Sequence, residues 1–259
     1  MYDVWSAGEP YERYVGRWSR KIAETFVTWL GCPPGLRWLD AGCGTGALTS
    51  AVRASAAPAE LTGVDPSEGF LRSARQRVED VQFVVGDAQD LPFTDHRFDV
   101  VVSGLALNFV PDPPRAAAEF ARVTVPGGSV AAYVWDYAEG MEMMRLFWDA
   151  AADTDPAGAE LDEGSRFPIC RPDPLRDLWT NAGLTDVDVR PIDIPTHFRD
   201  ADDYWDPFMG GQGAAPGYLA ALPVDRQAAL RENLLARLPR EPDGSIRLTA
   251  RAWAVRGTP

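Results

Sequence analysis

Leu39-Asp40-Ala41-Gly42-Cys43-Gly44-Thr45-Gly46 decides how this chain is read. The apolar run Leu36–Ala41 enters it as a strand, and Ala47–Ala56 leaves it as a helix. Three glycines at alternate positions let the backbone turn sharply with no Cβ in the way. They also clear space for a flat or charged group to lie against the main chain, where the first amides of the following helix point at it. A strand, glycine loop and helix in this order bind nucleotide-like cofactors. Cys43 stands in the loop where a small residue is needed and reads as packing rather than chemistry.

Working outward, the same alternation repeats. Glu60–Asp65 reads as a second strand ending on an acid, and Ser67–Val78 as a helix with Phe70, Leu71, Ala74 and Val78 on one face. Val81–Val85 is a third strand, and Phe98–Ser103 a fourth, almost wholly apolar as a strand buried on both faces should be. Pro113–Val123 is helical and Ser129–Trp135 a fifth strand. Repeated βα units of this length predict an α/β fold with a doubly wound, mostly parallel sheet. Further on, Pro172–Ala182 reads as a helix closed by Gly183, while Asp186–Ile194 and Ile246–Val255 alternate like strands. Residues 1–30 are expected to form an N-terminal cap with one amphipathic helix, Lys21–Leu30. Residues 31–259 are expected to form a single domain with insertions at about 137–171 and 197–244. The second insertion ends in a polar helix, Asp225–Leu238. Both are too long for simple connections and are expected to cover a site.

The 259 residues carry a net charge of −13, which argues against nucleic acid, because phosphate neutralisation needs clustered Lys and Arg. The same charge disfavours an anionic membrane surface, and no apolar stretch approaches bilayer length. The start of the chain has no basic region followed by an apolar one, so a cytoplasmic protein acting on a small molecule is expected. Cys32, Cys43 and Cys170 are scattered and give neither metal spacing nor a disulfide framework. No metal is expected, and oligomeric state is not legible.

Which cofactor fits follows from what lies around the loop. A nicotinamide fingerprint is G-x-G-x-x-G with an acid about 20 residues on. Here the spacing is G-x-G-x-G, with Asp40 just before it. The second strand ends in Gly63-Val64-Asp65-Pro66-Ser67, where the Asp65 carboxylate suits the two hydroxyls of a ribose. The third is followed by Gly86-Asp87-Ala88-Gln89-Asp90-Leu91-Pro92-Phe93, where Asp87 suits an adenine amino group. Three such features at successive strand ends lie where open α/β sheets bind ligands.

These residues, with Phe98–Asp112 and Arg122-Val123-Thr124-Val125-Pro126-Gly127-Gly128-Ser129, resemble the class I S-adenosylmethionine-dependent methyltransferases that act on small molecules. The resemblance implies a Rossmann-like, seven-stranded sheet whose antiparallel last strand matches Arg247–Val255. It also implies that Gly42, Gly44 and Gly46 flank the methionine part of the cofactor and that Asp40 anchors the loop and reaches the amino group. By the same resemblance Asp65 binds the ribose, Pro66 lines the adenine, and Asp87 with Ala88 holds it. Ser103 to Asn108 then form a wall beside the sulfonium and the acceptor, and Asn108 departs from the histidine many relatives carry there.

The aromatic and arginine-rich run Tyr11–Ser19 has two readings of equal standing. It folds over the cofactor, with Tyr14 or Arg17 pairing to the methionine carboxylate, or it packs as a cap on the sheet edge. Trp135 and Tyr137, after the fifth strand, are expected to line the acceptor pocket, with Asp136 between them as a candidate base. His197 opens the second insertion and is a second candidate base, although a loop histidine without a catalytic task is preferred. His96 is expected to be exposed in a polar turn. Tyr204–Gly213, which includes Trp205, reads as an aromatic lid with glycine hinges, against the alternative of a small satellite core. The stripe Met141, Met143, Met144, Phe147 and Trp148 reads as helix packing. The leading expectation is methyl transfer to a small hydrophobic or aromatic acceptor. The alternative is a protein that binds the same cofactor without methylating, as a cyclase, rearrangement enzyme or regulatory binder.

Overall fold

A computed structural model describes residues 16–211 and 213–259; Tyr14 and the rest of the expected cap before Gly16 lie outside them. The chain gathers into two compact units. The first comprises Ser19–Val134, Ile169–Ile192 and Ala252–Pro259; the described part of the second comprises residues 16–18, Trp135–Pro168 and Asp193–Arg251.

The helix α1 (Arg17–Leu30) precedes the sheet. It starts earlier than the sequence pattern predicts because Trp18 extends the buried stripe of Ile22, Phe26 and Leu30 by one turn. The parallel strands β1 (Arg37–Ala41), β2 (Glu60–Asp65), β3 (Gln82–Val85), β4 (Phe98–Gly104) and β5 (Thr124–Trp135) follow. They alternate with α2 (Ala47–Ser55), α3 (Glu68–Arg77) and α4 (Pro113–Val123). Then come α5 (Glu142–Thr154), α6 (Glu163–Arg166), α7 (Pro172–Asn181) and β6 (Thr185–Phe198). The chain closes with α8 (Ala201–Trp205), α9 (Ala214–Ala221), α10 (Val224–Arg237) and β7 (Ile246–Thr258). The strand order is β3-β2-β1-β4-β5-β7-β6.

The last strand runs antiparallel, as the resemblance implies. In the first unit Gly127 N donates to Pro259 O at 3.3 Å and Thr185 Oγ1 to Thr258 O at 3.1 Å. In the second, Asp136 N donates to Arg251 O at 2.9 Å, so numbers rise on β5 as they fall on β7. Central strands are apolar because both faces are covered: Trp38, Leu39, Val100, Val101 and Val102 are buried. Helix starts follow local chemistry. Ser67 Oγ accepts from Phe70 N at 3.3 Å, and Asp112, followed by proline, accepts from Arg115 N at 3.2 Å. β5 begins five residues before Ser129, the start read from sequence. Its pairing with β4 shifts register between Phe98 and Val100, and only glycine fits at 128, where a Cβ would lie 2.7 Å from Asp99 O.

The second unit has its own aromatic core. Phe147 of α5 stacks on Phe208, with centroids 4.6 Å apart, and meets Trp148 edge-on at 5.2 Å. Tyr204 OH donates to Met143 O at 2.7 Å, and Trp148 Nε1 donates to Glu163 Oε2 at 2.5 Å. This corrects the lid reading of Tyr204–Gly213. Tyr204 and Phe208 are fully buried, in α8 and in the 3-10 turn Asp206–Gly210 that follows it. The aromatic spacing serves packing, the satellite core weighed against the lid. No described helix is long and apolar enough to cross a membrane.

Candidate functional site

The ends of β1 and β2 build the centre of the site. Asp40 lies on β1 with its side chain fully buried. Thr49 Oγ1, from α2, donates to Asp40 Oδ2 at 2.6 Å, while Oδ1 is buried with no hydrogen-bond partner. Burial pushes this carboxyl up to about 7; the Thr49 hydrogen bond opposes the rise and the neighbouring Asp65 charge adds to it. A buried polar atom without a partner is costly, so Oδ1 marks a place where a donor belongs.

Asp65 ends β2 and is 7% exposed. Its Oδ2 accepts from Gly44 N at 2.9 Å and its Oδ1 from Ser67 N at 2.8 Å. Burial raises its pKa and these two amide bonds oppose the rise. The two bonds tie the glycine loop to β2 and hold the carboxylate still. Each oxygen keeps a second lone pair, so two adjacent acceptor positions remain, the arrangement a vicinal diol requires.

Two loop glycines are required for opposite reasons. A Cβ on Gly42 would lie 2.6 Å from Ala106 Cβ, so the turn after β4 touches the loop there. A Cβ on Gly44, where φ is +53°, would meet nothing within 4 Å. That side of the loop is open. Gly46 precedes α2 and, having no side chain, supplies no cap to it. The Gly46 α-carbon itself packs toward Ala74, 3.3 Å from where its Cβ would be, so its contact is with α3. Cys43 is buried, burial pushes its thiol up, and its Sγ lies 3.0 Å from where a Cβ on Gly63 would be; it packs, as expected.

Past β3, Asp87 is exposed and Ala88 is buried. Asp87 Oδ1 accepts from Gln89 N at 2.9 Å and both its oxygens accept from Gln89 Nε2 at 3.0 Å, bonds that hold its pKa below the ordinary value. Gln89 Oε1 in turn accepts from Asp112 N at 2.9 Å. Gln89 thus joins the segment after β3 to the end of the segment after β4. Sequence reading passed over it and over Thr49; each stands at an interval from its carboxylate that only the folded turn makes meaningful. Pro66 is exposed after β2, and Ser103 is buried on β4. Asn108 lies in the 3-10 turn Leu107–Phe109, buried, with neither amide atom partnered.

The remaining sequence candidates belong to the second unit. Arg17 Nη1 donates to Asp203 Oδ1 at 3.3 Å, and its guanidinium lies 4.4 Å from the Trp18 ring centroid and 4.7 Å from that of Phe198. Asp136 is buried and closes a turn: its Oδ1 accepts from Glu139 N at 3.1 Å and its carbonyl from Met141 N at 2.9 Å. Trp135 is buried with Nε1 unpartnered, the Tyr137 ring packs 5.7 Å from Phe167, and Trp205 packs 6.1 Å from Phe208. His197 does not open the second insertion. It lies within β6, on the exposed face of a strand that alternates in burial. In the first unit His96 is exposed, with Nδ1 3.0 Å from Thr124 O. Among the described residues no three His, Cys, Asp or Glu stand together as a metal site.

Residues 39–132 match the family model described as a methyltransferase domain. The demethylmenaquinone methyltransferase of Renibacterium salmoninarum is 38% identical over 128 residues, 49% of this chain and 49% of that protein. The enzyme of the same name from Staphylococcus aureus strain MRSA252 is 38% identical over 117 residues, 44% of this chain and 47% of that one. The chain thus spans about half the length of the curated relatives it matches. Among solved structures, YcgJ of Bacillus subtilis is similar in fold, with a TM-score of 0.59 at 22% identity over 93% of this chain and 98% of that one. The Haemonchus contortus phosphoethanolamine N-methyltransferase 2, solved with phosphomonomethylethanolamine and S-adenosylhomocysteine, gives 0.57 at 16% identity over 92% of this chain and 52% of that one. Over residues 39–132 the chain is thus similar to methyltransferases, and its fold is similar to that of solved methyltransferase structures.

Proposed function

We propose that this protein transfers the methyl group of S-adenosylmethionine to a small, hydrophobic ring acceptor. The observation that carries the reading is the site around the glycine loop. Gly44 faces open space, Asp65 is held by two amides with two acceptor positions left, and Asp40 Oδ1 is buried without a donor. A cofactor with a ribose diol and an ammonium group satisfies these requirements together. Asp65 takes the two ribose hydroxyls. Asp40 Oδ1 takes the ammonium group, directly or through a water molecule. Asp87, oriented by Gln89, accepts from the adenine amino group, and Pro66 lies along the ring.

When bound, the cofactor supplies an electrophilic methyl carbon on a sulfonium. That carbon would be open to an electron pair of the acceptor, held in line with the sulfur–carbon bond. The protein's work is alignment and exclusion of water. Asp65 and Asp40 fix the cofactor from one side, and the Ser103–Asn108 wall abuts the same loop at Gly42. Support for a hydrophobic ring comes from the name of the two bacterial relatives, demethylmenaquinone methyltransferase. The buried rings at Tyr204 and Phe208 pack on each other and no longer argue for it.

Calorimetry with S-adenosylhomocysteine, on protein freed of carried-over ligand, tests the reading. Micromolar binding at one site per chain is expected. Folded, ligand-free protein that binds none would overturn it.

A further inference from the structure

Asn108 carries a feature that cofactor binding does not absorb. It is 8% exposed, yet its Oδ1 and Nδ2 are both buried without a hydrogen-bond partner. A buried carboxamide that satisfies neither its acceptor nor its donors is rare, because each unmet group forfeits the hydrogen bonds it had in water. Leucine has the same branching of heavy atoms as asparagine and no polar atoms to satisfy, although its methyl groups are larger.

The backbone around it is fixed at both ends. Leu105 N donates to Tyr133 O at 2.8 Å, and Asp112 N donates to Gln89 Oε1 at 2.9 Å. Within the segment, Phe109 N donates to Ala106 O at 2.9 Å, and Ala106 is the residue packed against Gly42. An unsatisfied amide on a clamped turn that touches the glycine loop is preorganised to receive a ligand rather than to collapse onto a neighbour.

We infer that Asn108 is the residue that recognises the methyl acceptor, through a paired hydrogen bond from its carboxamide. The inference rests on the methyltransferase reading. One edge of the amide presents a donor and an acceptor side by side. Its complement is a neutral molecule with a hydroxyl on one carbon and a second oxygen on the next, such as a vicinal diphenol or an enol beside a carbonyl. The hydroxyl donates to Oδ1 and the second oxygen accepts from Nδ2. The carboxamide does not titrate, so it orients the acceptor without taking its proton.

The test uses the full chain and catechol as probe. S-adenosylhomocysteine is titrated first, then catechol into the saturated protein, for the wild type and for Asn108→Leu. Catechol is expected to bind the wild type and to bind Asn108→Leu about tenfold more weakly or worse, as loss of two neutral hydrogen bonds implies. S-adenosylhomocysteine affinity is expected to stay within about twofold, which also shows that the variant is folded. 1,2-Dimethoxybenzene, which cannot donate, is expected to bind both proteins equally weakly. Where Asn108→Leu does not fold, Asn108→Ala takes its place. Equal catechol affinity in wild type and variant, or none in the saturated wild type, overturns the inference and leaves the cofactor reading standing. Failure of S-adenosylhomocysteine to bind the wild type overturns the methyltransferase reading, and this inference with it.

Discussion

Two glycine-bearing stretches, Asp40–Gly46 and Tyr204–Gly213, look alike as sequence and do different things in the fold. In the first, the residues beside the glycines are buried polar groups that bond across the loop, from Thr49 to Asp40 and from Gly44 to Asp65. In the second, they are aromatic rings that pack into a core, Phe208 against Phe147 and Tyr204 against Phe198. A glycine run marks a ligand site when the polar groups around it are held in place with bonding capacity left over. When the groups around it are apolar and satisfied by one another, the glycines only end a turn.

Substitutions can break this contrast. The largest effect is expected from Gly44→Val, which puts a branched side chain into the open side of the loop at a φ of +53°. S-adenosylhomocysteine binding should vanish from calorimetry, and retained binding would place the ligand elsewhere. Phe208→Ala should do the reverse. Removal of a fully buried ring costs about 3–5 kcal/mol in urea unfolding, with no change in S-adenosylhomocysteine affinity for the protein that remains folded. A change in affinity at unchanged stability would restore the lid reading.

Asp65→Ala sharpens the first half of the comparison. It removes both proposed ribose bonds, a loss of about 1.5–3 kcal/mol at the strength of hydrogen bonds to a charged group. That corresponds to roughly 10- to 150-fold in affinity; an unchanged Kd would remove Asp65 from the site. The last test is a pH dependence of stability rather than a loss of binding. Burial raises the Asp40 carboxyl in the folded chain from 3.8 to about 7. Between these values the folded state holds a proton that the unfolded state has released. Stability from this group is therefore fully present below the unfolded pKa and is lost as pH rises through the folded one, by at most about 1.4 kcal/mol per pH unit. Asp40→Asn, compared with wild type by urea unfolding at successive pH values across that window, should be free of that decline. Parallel curves would show that Asp40 does not titrate there.

Much of the architecture around the glycine loop was legible because its requirements are local. The loop needs glycine at fixed intervals, the second strand must end on an acid, and βα alternation places both at one edge of a sheet. β2 and α4 came out with the predicted bounds because Asp65 and the Asp112-Pro113 start are encoded within a few residues. Asp136 and His197 were readable as residue types but not as environments. One closes a turn through its own backbone neighbours and the other sits on an outward face, and burial is a property of the whole fold.

The sequence by itself determined the α/β class, the mostly parallel sheet with its antiparallel last strand and the placing of Asp40 and Asp65 at strand ends beside the glycine loop, since these follow from periodicity and from backbone geometry that few residues allow. Only the tertiary structure decided that Gln89 bridges Asp87 to Asp112, that the aromatic stretch is a core, and that Asn108 keeps an unpaired amide. Each depends on which distant segments meet, and no local propensity records whether a buried polar atom finds a partner there.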